Sequence, residues 1–349
     1  METELTAASP LLTSDGRLSQ VGWARQPLLD CNLEQAAFYP GWLRGFQRFR
    51  IKRWDYYALF TPRRFFSATV ANLGYAANIS AYVLDYGTGE QHEQSINAAP
   101  WTARLPRNSQ QGETVYESKG AHFRFQAGEG FRNVLVDWPG FDCGAGRGHG
   151  LRADLRLACP PGHESMNIVI PIRGQRFYWN RKINNLPAEG LLHLGELREE
   201  VLPEQSLASL DWGRGVWEYR SYWNWASANG FLADGRRIGL NLGCGFGDTS
   251  AATENAFILE GRLHKLGAVT FDYTRGDYLK PWHFSEASQR LDLTFTPFKE
   301  RVGLSNLAVI YSEVHQMIGR YTGQVITSSG ETLPIDGLTG FAEEHHARW

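Results

Sequence analysis

The chain has 349 residues and a formal net charge of −2, enough for one large or two ordinary domains and too balanced to give nucleic acid an electrostatic footprint. Its basic residues are scattered or paired, as at Arg63–Arg64 and Arg236–Arg237, which reads as solvated surface and predicts no nucleic-acid partner. The four cysteines (Cys31, Cys143, Cys159 and Cys244) form no CxxC pair and no apolar run reaches the ~20 residues of a membrane-spanning helix, so zinc ribbons, thioredoxin-like motifs and an integral membrane segment are excluded.

The beginning, METELTAASPLL, is acidic and lacks a basic segment followed by an apolar stretch, so a cytoplasmic protein with reduced thiols is expected. Twelve Trp, fourteen Tyr, nineteen Phe and 37 Gly lean towards a β-rich chain, because aromatics suit half-buried pleats and glycines punctuate turns and bulges. The first 50 or so residues are irregular, broken by Pro27 and Pro40. Strand patterns then follow at 122–127 (HFRFQA), 132–138 (RNVLVDW), 151–157 (LRADLRL) and 166–172 (MNIVIPI). In LRADLRL, the side chains Leu151, Ala153, Leu155 and Leu157 share one face. The glycine-rich stretch Pro139–Gly150 reads as a loop.

Further strands are predicted at 237–243, 255–261, 266–273, 290–297 and 323–330. Turns fall at Tyr86–Gly89, Ala233–Gly235, Glu260–Gly261 and Asp336–Gly337. Successive hairpins of this kind build barrels or meanders, since closing a sheet removes its edges. A division near residue 175 gives two strand-rich halves, 1–175 with its irregular leader and 176–349.

The stretch IGLNLGCGFGDTS (238–250) also fits a strand running into a nucleotide-binding glycine turn, as in an S-adenosylmethionine-dependent methyltransferase. Three features argue against that reading. The segment DTSAATENAF is short for a crossover helix and lacks an apolar stripe. Hairpins follow where helices and strands should alternate. The acidic residue expected before the glycines is Asn241. There is no GxSxG elbow and no P-loop, and His149, His163 and His283 are isolated, so neither a metal nor a cofactor is expected.

GWARQPLLDCN (22–32), KRWDYYALFTP (52–62), RSYWNWASANGF (220–231) and GLNLGCGFGDTSAATENAFILEGRLHKL (239–266) together resemble domain-of-unknown-function family 2804. The order of GLLHLG, DWGRGVWEYRSYWNW and FLADGRRIGLNLG is also similar to the carotenoid hydratase (hydroxyneurosporene synthase) and tocopherol cyclase groups. That resemblance implies an all-β fold of two lipocalin-like (calycin-type) antiparallel β-barrels packed together, acting on hydrophobic polyenes or prenyl chains. The chain departs from the hydratase pattern in one place: Asp211–Trp212 is followed by Gly213–Arg214, and the histidine of an Asp-His-x-Trp arrangement is missing.

Candidate site residues are polar groups packed among aromatics. Asp211, Glu218, Arg220, Tyr222, Asp248 and Glu254 are the candidate acids, bases and polar groups for catalysis. Trp212, Trp217, Trp223, Trp225, Asn229 and His264 are the candidate ligand-binding residues. If 218–225 is a regular strand, Glu218, Arg220, Tyr222 and Asn224 share one face and Tyr219, Trp223 and Trp225 the other. The bland readings are a solvent-facing polar row, an Asx-stabilised loop at GDTSAATEN and a structural His264. The expected partner is a hydrophobic small molecule, lipid or terpenoid-like, held in a barrel cavity. Two functions are compatible with this: a cofactor-free cyclase, hydratase or isomerase working by proton transfer, and a non-catalytic carrier.

Overall fold

The computed structural model describes residues 2–144, 146, 148–307 and 309–349. Helix among them is confined to three 3-10 segments, Leu33–Gln35, Gly41–Arg50 and Pro100–Thr102. The rest is built on two curled antiparallel sheets, with a small parallel pair, Ser9–Pro10 and Leu29–Asp30, beside them.

The first sheet has fourteen strands among the described residues. Its main path runs Gln91–Ala98, Ala77–Asp85, Arg64–Asn72, Lys52–Phe60, Leu207–Gly215, Arg176–Leu194, His149–Cys159, Gly130–Asp142, His122–Gly128, Gly112–Glu117, Ala103–Arg104. The last of these curls round to meet Arg64–Asn72. The second sheet has nine: Arg262–Lys265, Ala256–Leu259, Arg237–Cys244, Arg220–Phe231, Thr332–Arg348, Ile310–Ile326, Leu291–Leu307, Trp282–Glu286, Val269–Asp272. Its far edge also returns, to Arg237–Cys244. Each sheet is therefore a half-barrel. The chain passes from the first sheet to the second between Gly215 and Arg220.

Alternation fixes the inward faces. In His149–Cys159, Leu151, Ala153, Leu155 and Leu157 are buried while Arg152, Asp154 and Arg156 face solvent. Ala233–Asp234–Gly235 and Glu260–Gly261 are hairpin turns, with Gly235, Glu260 and Gly261 at positive φ. Asp336–Gly337 is not a turn. It lies within Thr332–Arg348, where the pairing slips at Tyr321/Thr322 and Gly337 takes up the bulge. Pro139–Asp142 and His149–Gly150 are strand ends rather than loop, while Ala145 and Arg147 of that expected loop lie outside the described residues.

The interiors of both half-barrels are packed. The first holds Phe123, Phe125, Trp138, Trp179, Trp212 and their aliphatic neighbours. The second holds Trp282, Phe284, Phe295, Tyr321 and the inward residues of its strands. The two sheets then press their outer faces together through Phe60, Phe65, Tyr82, Ile318 and Phe341 at one end and Trp23, Ile168, Ile170, Tyr178, Trp217 and Ile258 at the other. Leu207–Gly215 is in consequence buried along its whole length, on both faces. No helix is long and apolar enough to cross a membrane.

The methyltransferase reading fails on topology. Arg237–Cys244 pairs antiparallel with both neighbours, and the residues after it lead through a loop into another strand, with no helix to face a phosphate.

Candidate functional site in the seam between the half-barrels

The seam is where buried ionisable groups meet aromatic walls. In Arg176–Leu194, Phe177, Trp179, Arg181 and Ile183 point into the first half-barrel, so Tyr178, Asn180 and Lys182 point into the seam. The pairing with Leu207–Gly215 sets Lys182 directly opposite Asp211. Lys182 Nζ lies 2.9 Å from Asp211 Oδ2, and Asn180 donates its amide to the other carboxylate oxygen. Both charged groups are buried.

A bulge follows between Ile183 and Leu186, with Asn185 at φ 71°. It turns two consecutive amides towards the second half-barrel. Asn184 donates to Ser227 Oγ (2.9 Å) and the Leu240 carbonyl (3.0 Å), and the Asn185 backbone N–H donates to Asn229 Oδ1 (2.6 Å). These bonds hold the two sheets in register at the site.

The second half-barrel supplies the opposite wall. Lys182 Nζ sits 3.8 Å from the centre of the Trp225 ring, a cation–π contact, and Tyr56 meets the same indole edge-on. Trp225 donates to Asn241 Oδ1 (2.8 Å), and Asn241 donates in turn to the Glu254 carbonyl (2.8 Å). Trp54, Tyr178, Trp217, Trp223 and Trp349 continue the wall in mutual contact.

Two glutamates complete the site. Glu254 is 2% exposed, and burial raises its pKa from 4.5 to about 7, Lys182 opposing and Asp211 reinforcing the shift. Its Oε2, like Asn180 Oδ1, has no hydrogen-bond partner among the described residues. Burial likewise raises Glu343 to about 7, against hydrogen bonds from Trp223 Nε1 (3.2 Å) and Gln316 Nε2 (3.1 Å). Lys182 and Asp211 act on both carboxyls, which makes one electrostatic unit. His345, on the seam side of its strand against Trp223, is pushed down to about 3 by burial and is neutral.

The glycines of LGCG serve this arrangement. A Cβ at Gly243 would lie 2.0 Å from Glu254 Oε1, so only glycine leaves the carboxyl its seat. Gly213 makes room in the same way for the Trp54 ring, 2.1 Å from where its Cβ would be.

Of the candidates from sequence, Asp211, Glu254, Trp217, Trp223 and Trp225 meet in the seam. Asn229 lies there as a structural acceptor for Asn185. Trp212 faces the interior of the first half-barrel, under the Arg214 guanidinium and edge-on to Trp179, because it is one residue out of phase with Asp211. Tyr222 turns into the mouth of the second half-barrel with Asn224, Tyr273 and Glu344. Glu218 and Arg220 are exposed, since the strand starts only at Arg220 and the expected polar face does not extend to Glu218. Asp248 is exposed and accepts from the Ser250 N–H, which holds its carboxyl below the usual range: an Asx turn. His264 stacks on Phe257 and bonds to Ser328, a structural role.

Lys182, Asn180, Tyr178, Tyr56 and Glu343 were not anticipated. The alternation Tyr178–Asn180–Lys182–Asn184 is the available signal for three of these positions, one mostly polar row opposite a mostly apolar one.

No curated protein matches the chain. Among solved structures it is similar to CghA, with a TM-score of 0.50 at 11% identity over 85% of this chain and 88% of that one. It is also similar to CghA with Sch210972 (TM-score 0.49, 12% identity, 85% and 88% covered) and to kievitone hydratase from Nectria haematococca (0.43, 12%, 85% and 88%). At these identities the likeness is one of fold. The model of the family described as domain of unknown function DUF2804 matches residues 2–349, and the chain belongs to that family.

Proposed function

We propose that the seam binds an apolar, unsaturated small molecule and rearranges it by cofactor-free proton transfer. The observation that carries this is the Glu254 carboxyl, fully buried, poised near neutrality and with one oxygen unpaired beside Lys182–Asp211. A carboxyl that titrates near pH 7 is a competent general acid where an ordinary glutamate would already be ionised.

Glu254 in its protonated form gives its proton to a carbon–carbon double bond of the ligand, leaving a carbocation. The faces of Trp225, Trp223 and Tyr56 stabilise that positive charge without offering a nucleophile. Glu343, ionised, takes a proton from a neighbouring carbon, and the double bond re-forms one position along; after the product leaves, Glu343 gives that proton to solvent and Glu254 takes one back, which restores both carboxyls. The ligand is isomerised, or cyclised if a second double bond captures the cation first. Asp211, paired with Lys182, opposes premature ionisation of Glu254.

A carrier needs only the aromatic walls, and buried carboxyls raised towards pH 7 are a liability to it. The test is organic extraction of the purified protein followed by mass spectrometry, for the wild type and Glu254→Gln. An enzyme leaves product or nothing on the wild type and unreacted isomer on Glu254→Gln. A carrier leaves the same compound on both.

A further inference from the structure

We infer that the mouth of the first half-barrel is a second, separate binding site, for a small oxyanion bearing a carboxylate or phosphate group, gripped between Arg132 and Arg181. The two guanidinium groups stand inside the half-barrel, each only 4% exposed. Arg132 Nη2 and Arg181 Nη1 both donate to one acceptor, the Ser109 carbonyl, at 2.5 and 3.1 Å. Two cations thus converge on a single neutral oxygen.

No carboxylate among the described residues pairs with either. The remaining bonds go to neutral groups: Arg132 Nη1 to the Tyr57 hydroxyl (3.3 Å), and Arg181 to the Ser165 and Ser109 hydroxyls (3.1 and 3.4 Å). Arg132 Nε is buried with no partner. The buried carboxylate that acts on Arg132, Asp55, is already engaged by Arg214 at 2.9 Å and by Thr114. Glu129, at the rim, is exposed and bonds to neither guanidinium. Arg132, Arg181 and Arg214 therefore stand near a single buried aspartate, Asp55. Arg181 is pushed down to about 9 by burial and by the facing Arg132 charge, while Tyr57 and Cys159 raise Arg132 against its own burial.

Buried cations are ordinarily paired, because an uncompensated one is strongly destabilising. A cavity of about 400 Å³ opens beside these two, lined also by Gln26, Asn108, Gln110 and Gln111, whose amides can donate to an anion. Two guanidinium forks and several amide donors form a set suited to a planar carboxylate or a tetrahedral phosphate. The site is distinct from the seam. Arg181 and Lys182 are consecutive on one strand and face opposite sides of it.

The test is thermal unfolding and isothermal titration of the full-length protein with inorganic phosphate and with acetate, against chloride at equal ionic strength. Phosphate or acetate should raise the melting temperature of the wild type above the chloride control; a response to one alone identifies the group held. Arg132→Gln should weaken binding by about tenfold or more, the loss of one charge-assisted bond. Without added anion, Arg132→Gln should melt no lower than the wild type, since one of two facing charges is gone. Equal melting in all three salts overturns the proposal. So does an anion response undiminished in Arg132→Gln, or a variant that simply melts lower with no anion dependence, which is the behaviour of a structural arginine. Arg181→Gln repeats the test from the other side of the cavity.

Discussion

Replacing Glu254 with glutamine should change how stability depends on pH. In the folded protein the carboxyl titrates at about 7, against 4.5 ordinarily. Below pH 4.5 it is protonated in both folded and unfolded chains and contributes no pH dependence. Between 4.5 and 7 it stays protonated when folded and is ionised when unfolded, so the folded state binds more protons and stability falls as pH rises. Above 7 the loss is complete. The interval from 4.5 to about 7 corresponds to about 3 kcal/mol. Glutamine does not titrate, so the stability of Glu254→Gln minus that of the wild type should grow by about this amount from pH 4.5 to 8. The difference is the quantity to read, because His345, lowered to about 3, gains stability as pH rises towards 6.5 and partly masks the glutamates in either protein alone. Guanidinium unfolding at half-unit pH intervals, followed by tryptophan fluorescence, measures it. A difference that stays flat from pH 4.5 to 8 would show that Glu254 titrates alike in both states, and the acid assigned to the seam would be lost.

Other consequences follow from the same geometry. Lys182→Met leaves Asp211 buried without its cation and should destabilise by about 3–5 kcal/mol in chemical denaturation, much of it recovered in Lys182→Met/Asp211→Leu. Gly243→Ala drives a methyl to within 2.0 Å of Glu254 Oε1, so the carboxyl must leave its seat; destabilisation of about 1–3 kcal/mol and a lost pH dependence are expected. Glu218→Gln, Arg220→Gln and Asp248→Asn, all at exposed positions, should each stay within about 0.5 kcal/mol of the wild type and leave ligand conversion intact.

The half-barrels were legible where one face meets water. Leu151 to Leu157 alternate cleanly, and Ala233–Asp234–Gly235 announces its hairpin. The meander from Lys52 to Ala98 was harder, because the outer faces of its first three strands are covered by the second half-barrel and a strand buried on both sides loses its period. The same covering hid the site. Lys182 reads as a surface residue until the second sheet is laid over it, and its partner Asp211 lies 29 positions away in sequence, joined to it only by strand register. Glu254 was visible as an acid in a polar run, but the run gives no sign that 253–255 turn inward while Asp248 turns out. Glycine gave the most misleading signal: the glycines that suggest a phosphate turn include the one that leaves room for a carboxyl.

Whether an apolar ligand sits in the seam can be read from photolabelling with a diazirine-bearing geranylgeraniol and mapping of the adducts by peptide mass spectrometry. A ligand in the seam places adducts on Trp54–Tyr56 and Trp217–Trp225, suppressed by excess unlabelled alcohol. Adducts confined to the half-barrel interiors, at Trp212 or Trp282, or scattered over the surface and indifferent to the competitor, would contradict it.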